Sequence, residues 1–307
     1  MKTSANQTLT IHPQVEKTRR ENGQLQTELA RLIVERDDLR QTIVPHIQAE
    51  YTSKIGILEW RVFQMDCETR AILRRIEMAR AMLNRGDAPC YKCIEKDIEI
   101  EFAWWRERVK TQAEEIKDAK RKLESPTLSR ADSRELQTLY RKLAFLLHPD
   151  IVGESSERRR KLWLQTAEAY KNGDLQNLRT IRLIVAGDSE TIENLSNENG
   201  LSVLETLQNR RAELKKTCEK LLEEIAEIKT TAPYIWHETL ADDEAIAEKQ
   251  NELHRQISVL REQRLQMTTA WAEIMRFAKD RQSVEIPDEP PDLFAANEED
   301  WAEIIYE

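Results

Sequence analysis

Residues 204–228 read LETLQNRRAELKKTCEKLLEEIAEI, and the apolar residues among them recur at alternating steps of three and four. The repeating positions are Leu204, Leu207, Arg211, Leu214, Cys218, Leu221, Ile225 and Ile228. This alternation gives an α-helix one apolar seam, which buries itself against a partner helix as in a coiled coil. Cys218 falls on the seam and is predicted to fill the core as a small apolar residue.

The same alternation appears near both ends of the chain. An earlier seam comprises Asn22, Leu25, Leu29, Leu32, Arg36, Leu39 and Ile43. A later one comprises Ile246, Gln250, Leu253, Ile257, Leu260, Arg264, Met267, Trp271 and Ile274. Pro45 is predicted to break or kink the first helix. Only a short stretch around Pro233 separates the two C-terminal seams, so they are predicted to pack together as an antiparallel pair.

Between the first seam and the middle of the chain, the pattern predicts a helical hairpin. One helix is expected over residues 46–85 and another over 93–124, with a turn at Gly86-Asp87-Ala88-Pro89 between them. We therefore expect an all-α, extended architecture of coiled-coil helical hairpins. Its predicted segments are an N-terminal hairpin region at 1–128, a central helical module at 129–186, a C-terminal antiparallel coiled coil at 187–282 and a disordered acidic tail at 283–307.

Composition supports long helices and excludes several classes of function. Of the 307 residues, 34% are charged and 6% are aromatic, and 7 glycines and 9 prolines interrupt the chain. No apolar run is long enough to span a membrane and the N-terminus lacks a secretory signal, so we expect a cytoplasmic protein. The net charge is −9, and the tail from Ser283 carries nine acidic residues and no basic one. The rest of the chain is balanced, which does not favour nucleic-acid binding.

The central module contains the most distinctive motif. Residues 135–150 read ELQTLYRKLAFLLHPD and form an amphipathic helix with Arg141 and Lys142 off its apolar face. Pro149 ends this helix and keeps His148 out of helical geometry, which predicts an exposed corner bearing His148 and Asp150. A second amphipathic helix is expected from about Ser156 to Asn172.

This stretch resembles helices II and III of a J-domain, the module of DnaJ-like co-chaperones. The matching residues are Tyr140 to Ala144, the triplet His148-Pro149-Asp150, and Ala169-Tyr170 with Trp163 seven residues before the tyrosine. The resemblance is confined to about residues 132–182. No recognisable helix I precedes Asp132, and Lys117 to Leu123 is the expected substitute.

The resemblance implies that the module binds a seventy-kilodalton heat-shock chaperone and stimulates its ATP hydrolysis. The implied chaperone-binding residues are Tyr140, Arg141, Lys142, His148, Pro149 and Asp150. On this hypothesis the coiled coils select client proteins or assemblies, whose identity the sequence does not give, and self-association through the seams is possible. The alternative is a coiled-coil scaffold or adaptor in which the J-like segment only packs.

The four cysteines are too few and too scattered for a disulfide framework, so free thiols are expected. Cys90 and Cys93 form the one close pair, at the predicted tip of the hairpin. Two chains meeting there could bind zinc through four cysteines, which resembles the zinc hook of coiled-coil repair proteins; a free or redox-labile pair is the simpler alternative.

No enzyme motif is present. The chain has no glycine-rich phosphate loop, nucleophile elbow or paired catalytic carboxylates, and its five histidines lack metal-ligand spacing. We therefore expect a protein that is not an enzyme and needs no cofactor.

Large apolar residues lie among the acidic residues of the tail, which favours a tail that binds another protein surface over one that only keeps the chain soluble. Residues 298–306 could bind the basic side of the 135–150 helix around Arg141 and Lys142, and an external partner is the equal alternative.

Overall fold

The computed structural model describes residues 13–124, 128–153, 156–187, 200–279 and 289–294. Within these ranges the chain contains helices and no β-strand, which confirms the all-α prediction. The helices are α1 (Pro13–Asp38), α2 (Val44–Tyr51), α3 (Ile57–Asn84), α4 (Tyr91–Glu101), α5 (Ala103–Glu124), α6 (Arg130–Leu147), α7 (Pro149–Val152), α8 (Glu157–Lys171), α9 (Leu175–Gly187), α10 (Gly200–Thr230), α11 (Trp236–Leu240) and α12 (Asp243–Lys279). In the described part of the chain, no helix is both long and apolar enough to cross a bilayer.

The helices form two compact units, each assembled from two separate stretches of sequence. The first unit comprises Met1–Pro45 and Pro126–Ile235, and the second comprises His46–Ser125 and Trp236–Glu307. The predicted division at residues 128, 186 and 282 does not match these units, because each takes helices from both halves of the chain.

In the first unit, α10 packs along α1 and runs in the same direction. Near the start of both helices, Asn22 Nδ2 donates to the carbonyl oxygen of Leu207 at 3.0 Å. Near their ends, Lys229 Nζ lies 2.7 Å from Glu35 Oε1. The predicted seam of α10 is the face that is buried, and Cys218 is a buried free thiol within it.

The second unit has a similar parallel pair, α3 with α12. Lys249 lies near Glu59, and farther along Arg264 Nη1 lies 3.2 Å from Glu68 Oε2. The prediction that the two C-terminal seams pack on each other as an antiparallel pair is therefore wrong. A seam shows which face of a helix is buried but does not identify the partner helix, and both C-terminal helices pack on N-terminal ones.

The predicted hairpin is present in the second unit. Trp60 Nε1, near the start of α3, donates to the carbonyl oxygen of Val109 on α5 at 3.2 Å. Arg75, near the end of α3, pairs with Glu95 on α4 at 2.9 Å. Contacts that run in opposite directions along the two segments show that they are antiparallel. The apolar core between them is closed on one side by Trp271 of α12.

Pro45 does not break the helix as predicted. The five residues before Val44, Leu39–Ile43, form a π-helical turn, and helical backbone continues through Pro45 into α2. Pro45 has no N–H to donate to the carbonyl of Gln41, and a π turn already changes the i to i−4 pattern there. The wider turn therefore accommodates the proline.

Cys90 and Cys93 form a disulfide at the start of α4, so the expectation of free thiols is wrong for this pair. It is confirmed for Cys67 and Cys218, which are both buried and free. Burial raises the pKa of the Cys67 thiol to about 11 and also raises that of Cys218. No cluster of three or more potential metal-binding side chains occurs among the described residues.

The prediction of a disordered tail is wrong for residues 289–294. Residues 289–294 lie against α3 and α12, and the side chain of Phe294 is buried. Leu293 and Phe294 supply the apolar surface that binds this part of an otherwise acidic tail. Residues 298–306, which were predicted to bind around Arg141 and Lys142, lie outside the described residues.

The packing of α10 on α1 can be tested with two leucines of α10. Leu214 is buried in the seam and Leu222 is exposed. Leu214→Ala is expected to lower the free energy of unfolding by about 2 to 5 kcal/mol, through lost burial and the cavity left behind. Leu222→Ala should change it by less than about 0.5 kcal/mol. Urea denaturation followed by circular dichroism measures both, and equal effects would contradict the assigned interface.

Candidate functional site

The candidate site is the loop between α6 and α8 in the first unit, together with the exposed side of α6. Ser129 caps α6, because its hydroxyl accepts a hydrogen bond from the backbone N–H of Asp132 at 3.1 Å. The helix ends at Leu147, where His148 takes an extended conformation in front of Pro149. The turn that Pro149 predicts is therefore present.

His148 is the N-cap of the short helix α7. Its Nδ1 accepts a hydrogen bond from the backbone N–H of Asp150 at 3.1 Å. An Nδ1 that accepts must be unprotonated, so the proton of the neutral imidazole is on Nε2. The ring is edge-on to Trp163 at 4.7 Å between centroids.

The prediction that His148 lies on an exposed corner is wrong. Only 7% of the residue is accessible, and Trp163 of α8 packs against its ring. Burial lowers the pKa of His148, and the nearby carboxylate of Asp150 opposes this effect. Asp150 does match the prediction, because 53% of its side chain is exposed.

The helix pair of α1 and α10 holds the backbone of the loop. Arg210 Nη2 donates to the carbonyl oxygens of Asp150 at 2.8 Å and Ile151 at 2.9 Å. Gln26 Nε2 donates to the same carbonyl of Ile151 at 3.1 Å. Gly153 then reverses the chain with φ +84°, a conformation that few residues other than glycine adopt. The loop is therefore held from both helices of the pair.

Tyr140 lies in the core and not on the surface. Its ring stacks on Tyr170 at 3.9 Å, and its hydroxyl donates to Asp37 Oδ2 on α1 at 2.6 Å. Tyr170 donates in the same way to Asp38. Burial is the main cause of the raised pKa of both tyrosines and of Asp38. Tyr140 therefore contributes to the site by fixing α6 in place.

The remaining predicted residues do share an exposed surface. Arg141 and Lys142 are exposed on α6, and the positive charge of Arg141 acts on the carboxyl group of Asp38 on α1. Phe145 and Leu146 follow them and are partly exposed. With Pro149 and Asp150 they form what we call the α6 face, which consists of Arg141, Lys142, Phe145, Leu146, Pro149 and Asp150.

Sequence reasoning missed the contribution of α1. Lys117 to Leu123 was predicted to replace the missing first helix of the module, but these residues belong to α5 in the second unit. The helix that packs on α6 is α1, through Asp37 and Asp38. Asp37 and Asp38 are two adjacent acids beside the predicted seam of α1, and this pattern could have indicated hydrogen-bond partners on another helix. Nothing in the sequence marks Arg210.

Comparison with known proteins adds no relative. No family model matches the chain, and searches of curated proteins and of solved structures return no match. The likeness to a J-domain therefore rests on the motif residues alone.

The burial of His148 predicts a pH dependence of stability. The pKa of His148 is lower in the folded than in the unfolded state. The contribution of the neutral ring to stability is therefore fully present above the unfolded-state pKa, and it is lost as the pH falls through the folded-state pKa. From about pH 7.5 to about pH 5.5, wild-type protein should lose stability relative to His148→Asn. Asparagine keeps an acceptor for the backbone N–H of Asp150 but does not titrate.

The measurement is the urea midpoint of each protein at both pH values. Equal changes of the urea midpoint in the two proteins would show that protonation of His148 is not coupled to unfolding.

Proposed function

We propose that this chain is a J-domain-like co-chaperone that binds a seventy-kilodalton heat-shock chaperone through the α6 face and stimulates its ATP hydrolysis. The observation that carries the proposal is the arrangement of α6, the His148-Pro149-Asp150 loop and α8 as two packed helices joined by a turn. Basic and apolar groups lie exposed beside the turn, together with one accessible carboxylate. The chain would catalyse no reaction itself.

The α6 face has the composition of a docking surface. Arg141 and Lys142 provide positive charge that would orient an acidic partner during association. Phe145 and Leu146 provide apolar area that a partner could bury. Asp150 provides an acceptor at the end of the helix. On this proposal, the module binds preferentially to the hydrolysis-competent state of the chaperone and so increases its population.

The other helices would supply the substrate-selecting part of the protein. Client proteins or assemblies would bind to the long helices, and the module would bring the chaperone to them. We also propose that the chain acts in the cytoplasm, where both ATP and such chaperones are present.

A scaffold function is the second candidate, and the burial of His148 favours it. A buried histidine that packs on Trp163 cannot reach a partner unless the loop rearranges. Arg210 and Gln26 hold the loop by its backbone carbonyls, as expected for a turn that only packs. The two candidates differ in one respect: a scaffold has no need of the exposed carboxylate of Asp150.

Asp150→Asn is the sharpest test, because the residue is exposed and the replacement has almost the same size. The wild-type chain should stimulate single-turnover ATP hydrolysis by a heat-shock chaperone. The stimulation by the variant should be smaller by about tenfold or more. Glu157→Gln, at an exposed site on α8, is the matched control and should behave as wild type. Absence of stimulation by wild type at saturating concentration would reject the co-chaperone proposal.

Charge reversal on α6 tests the docking surface separately. Arg141→Glu combined with Lys142→Glu should weaken chaperone binding, with the largest effect at low salt where charges are least screened. Arg160→Glu combined with Lys161→Glu on α8 makes the same change in net charge at two exposed residues outside the α6 face, and should leave binding within about twofold of wild type. Binding is measured by surface plasmon resonance at two salt concentrations. Equal losses in the two variants would assign the effect to net charge alone.

A further inference from the structure

Residues 289–294, Glu-Pro-Pro-Asp-Leu-Phe, lie in a groove of the second unit that is lined by α3 and α12. We call them the docked segment. Their backbone is bound by side chains: Arg75 Nη2 donates to the carbonyl oxygen of Pro291 at 3.1 Å, and Gln64 Nε2 donates to that of Phe294 at 3.2 Å. Among the described residues, no backbone-to-backbone hydrogen bond joins the segment to a helix. The segment is therefore bound as an extended peptide would be.

Two side chains of the docked segment occupy specific positions. Phe294 is 3% exposed and lies edge-on to Phe102 at 6.3 Å between ring centroids. Asp292 lies 3.5 Å from Arg264 Nη2 on α12, and its Oδ1 also accepts from the backbone N–H of Phe294 at 3.0 Å. An acid and an aromatic residue, two positions apart, thus provide the sequence-specific contacts. Pro290 and Pro291 restrict the backbone of the segment even when it is not bound, so less conformational entropy is lost on binding.

The donor that binds the peptide backbone is held in place by the helices. Arg75 is 1% exposed, and Glu95 on α4 binds its guanidinium through Nε and Nη2, each at 2.9 Å. This ion pair contains no atom of the docked segment. The guanidinium is therefore positioned for a peptide carbonyl independently of the segment.

The docked segment brings the carboxylate of Asp292 near the carboxyl group of Glu68, and the two repel each other when Glu68 is ionised. Glu68 on α3 is buried, and its Oε2 lies 3.2 Å from Arg264 Nη1 without a hydrogen bond. Arg264 therefore faces two carboxylates, Glu68 and Asp292. Burial and then the charge of Asp292 raise the pKa of Glu68 to about 7, against the opposing charges of Arg264 on α12 and Arg61 on α3. Ionised Glu68 weakens the binding of Asp292.

We propose that the groove between α3 and α12 is a recognition site for short peptides of the type Pro-Pro-Asp-Leu-Phe, and that residues 289–294 occupy it reversibly as its resident ligand. The contacts are those of peptide recognition: fixed side-chain donors bind the backbone, one pocket accepts an aromatic ring, and one cation accepts an acid. Because the ligand is tethered, its effective concentration is on the order of millimolar, and modest affinity suffices to keep the groove occupied. The same motif in trans would exchange with it.

A labelled peptide spanning residues 286–297 provides the test in trans. Phe294→Ala in the full chain removes the main anchor of the resident segment and should allow saturable binding of the peptide, measured by fluorescence anisotropy. The wild-type chain should bind at least about tenfold more weakly, because its own segment competes. Leu164→Ala, at an exposed apolar site on α8 of the other unit, is the control and should behave as wild type. A peptide with alanine at the position of Phe294 should not bind.

The pH dependence identifies the groove as the binding site. Because the peptide raises the pKa of Glu68, binding should be strongest in mild acid, weaken as the pH rises to about 7 and level off above it. Glu68→Gln in the Phe294→Ala chain should abolish this dependence.

Hydrogen exchange of the wild-type chain provides a measurement that does not depend on the variant folding. The amides of Leu293 and Phe294 should exchange at least about 100-fold faster than those of Ala71 and Ile72 in α3, since the segment opens locally. The proposal is overturned if these amides exchange only at the rate of α3, or if a folded Phe294→Ala chain does not bind the peptide.

Discussion

The buried hydrogen bond from Tyr140 to Asp37 joins the two halves of the first unit. Asp37 is on α1, which pairs with α10, and Tyr140 is at the centre of the bundle formed by α6, α8 and α9. Burying the Asp37 carboxylate without a hydrogen-bond partner would be strongly destabilising. The bundle must therefore pack on α1 with the hydroxyl of Tyr140 facing Asp37. Arg36 and the neighbouring pair of Tyr170 with Asp38 complete the network. The same helix, α1, thus determines where α6 lies.

Some features of this arrangement follow from the sequence, and the seams are the clearest. The predicted faces of α10 and α12 are buried, and Cys218 and Trp271 occupy the core as their positions indicate. The turn at Pro149 is also local, because it depends on the ring of proline and the residue before it. These predictions succeed because spacing and backbone sterics determine them within a few residues.

The features that the sequence did not predict depend on residues far apart in the chain. Leu214 is a seam residue whichever helix lies opposite, so the choice of α1 as partner was not predictable from spacing. His148 is buried and packs on Trp163 of α8, a contact that the triplet itself does not imply. Pro45 remains helical because of the π turn before it, which no residue type announces. Docking of Phe294 required the shape of a groove built by distant helices.

The pairing of α1 with α10 and of α3 with α12 has a consequence for synthesis. In both pairs the partners are separated by well over a hundred residues of chain, and both units are completed by segments from its last third. At typical elongation rates of about 5 to 20 residues per second, α1 leaves the ribosome roughly ten seconds or more before α10 exists. During that interval only α6 and α7 can cover part of the apolar face of α1, and Leu29, Leu32 and Ile33 lack their partners on α10. The nascent chain must therefore remain soluble with part of an apolar helix face exposed until about three quarters of it has been made.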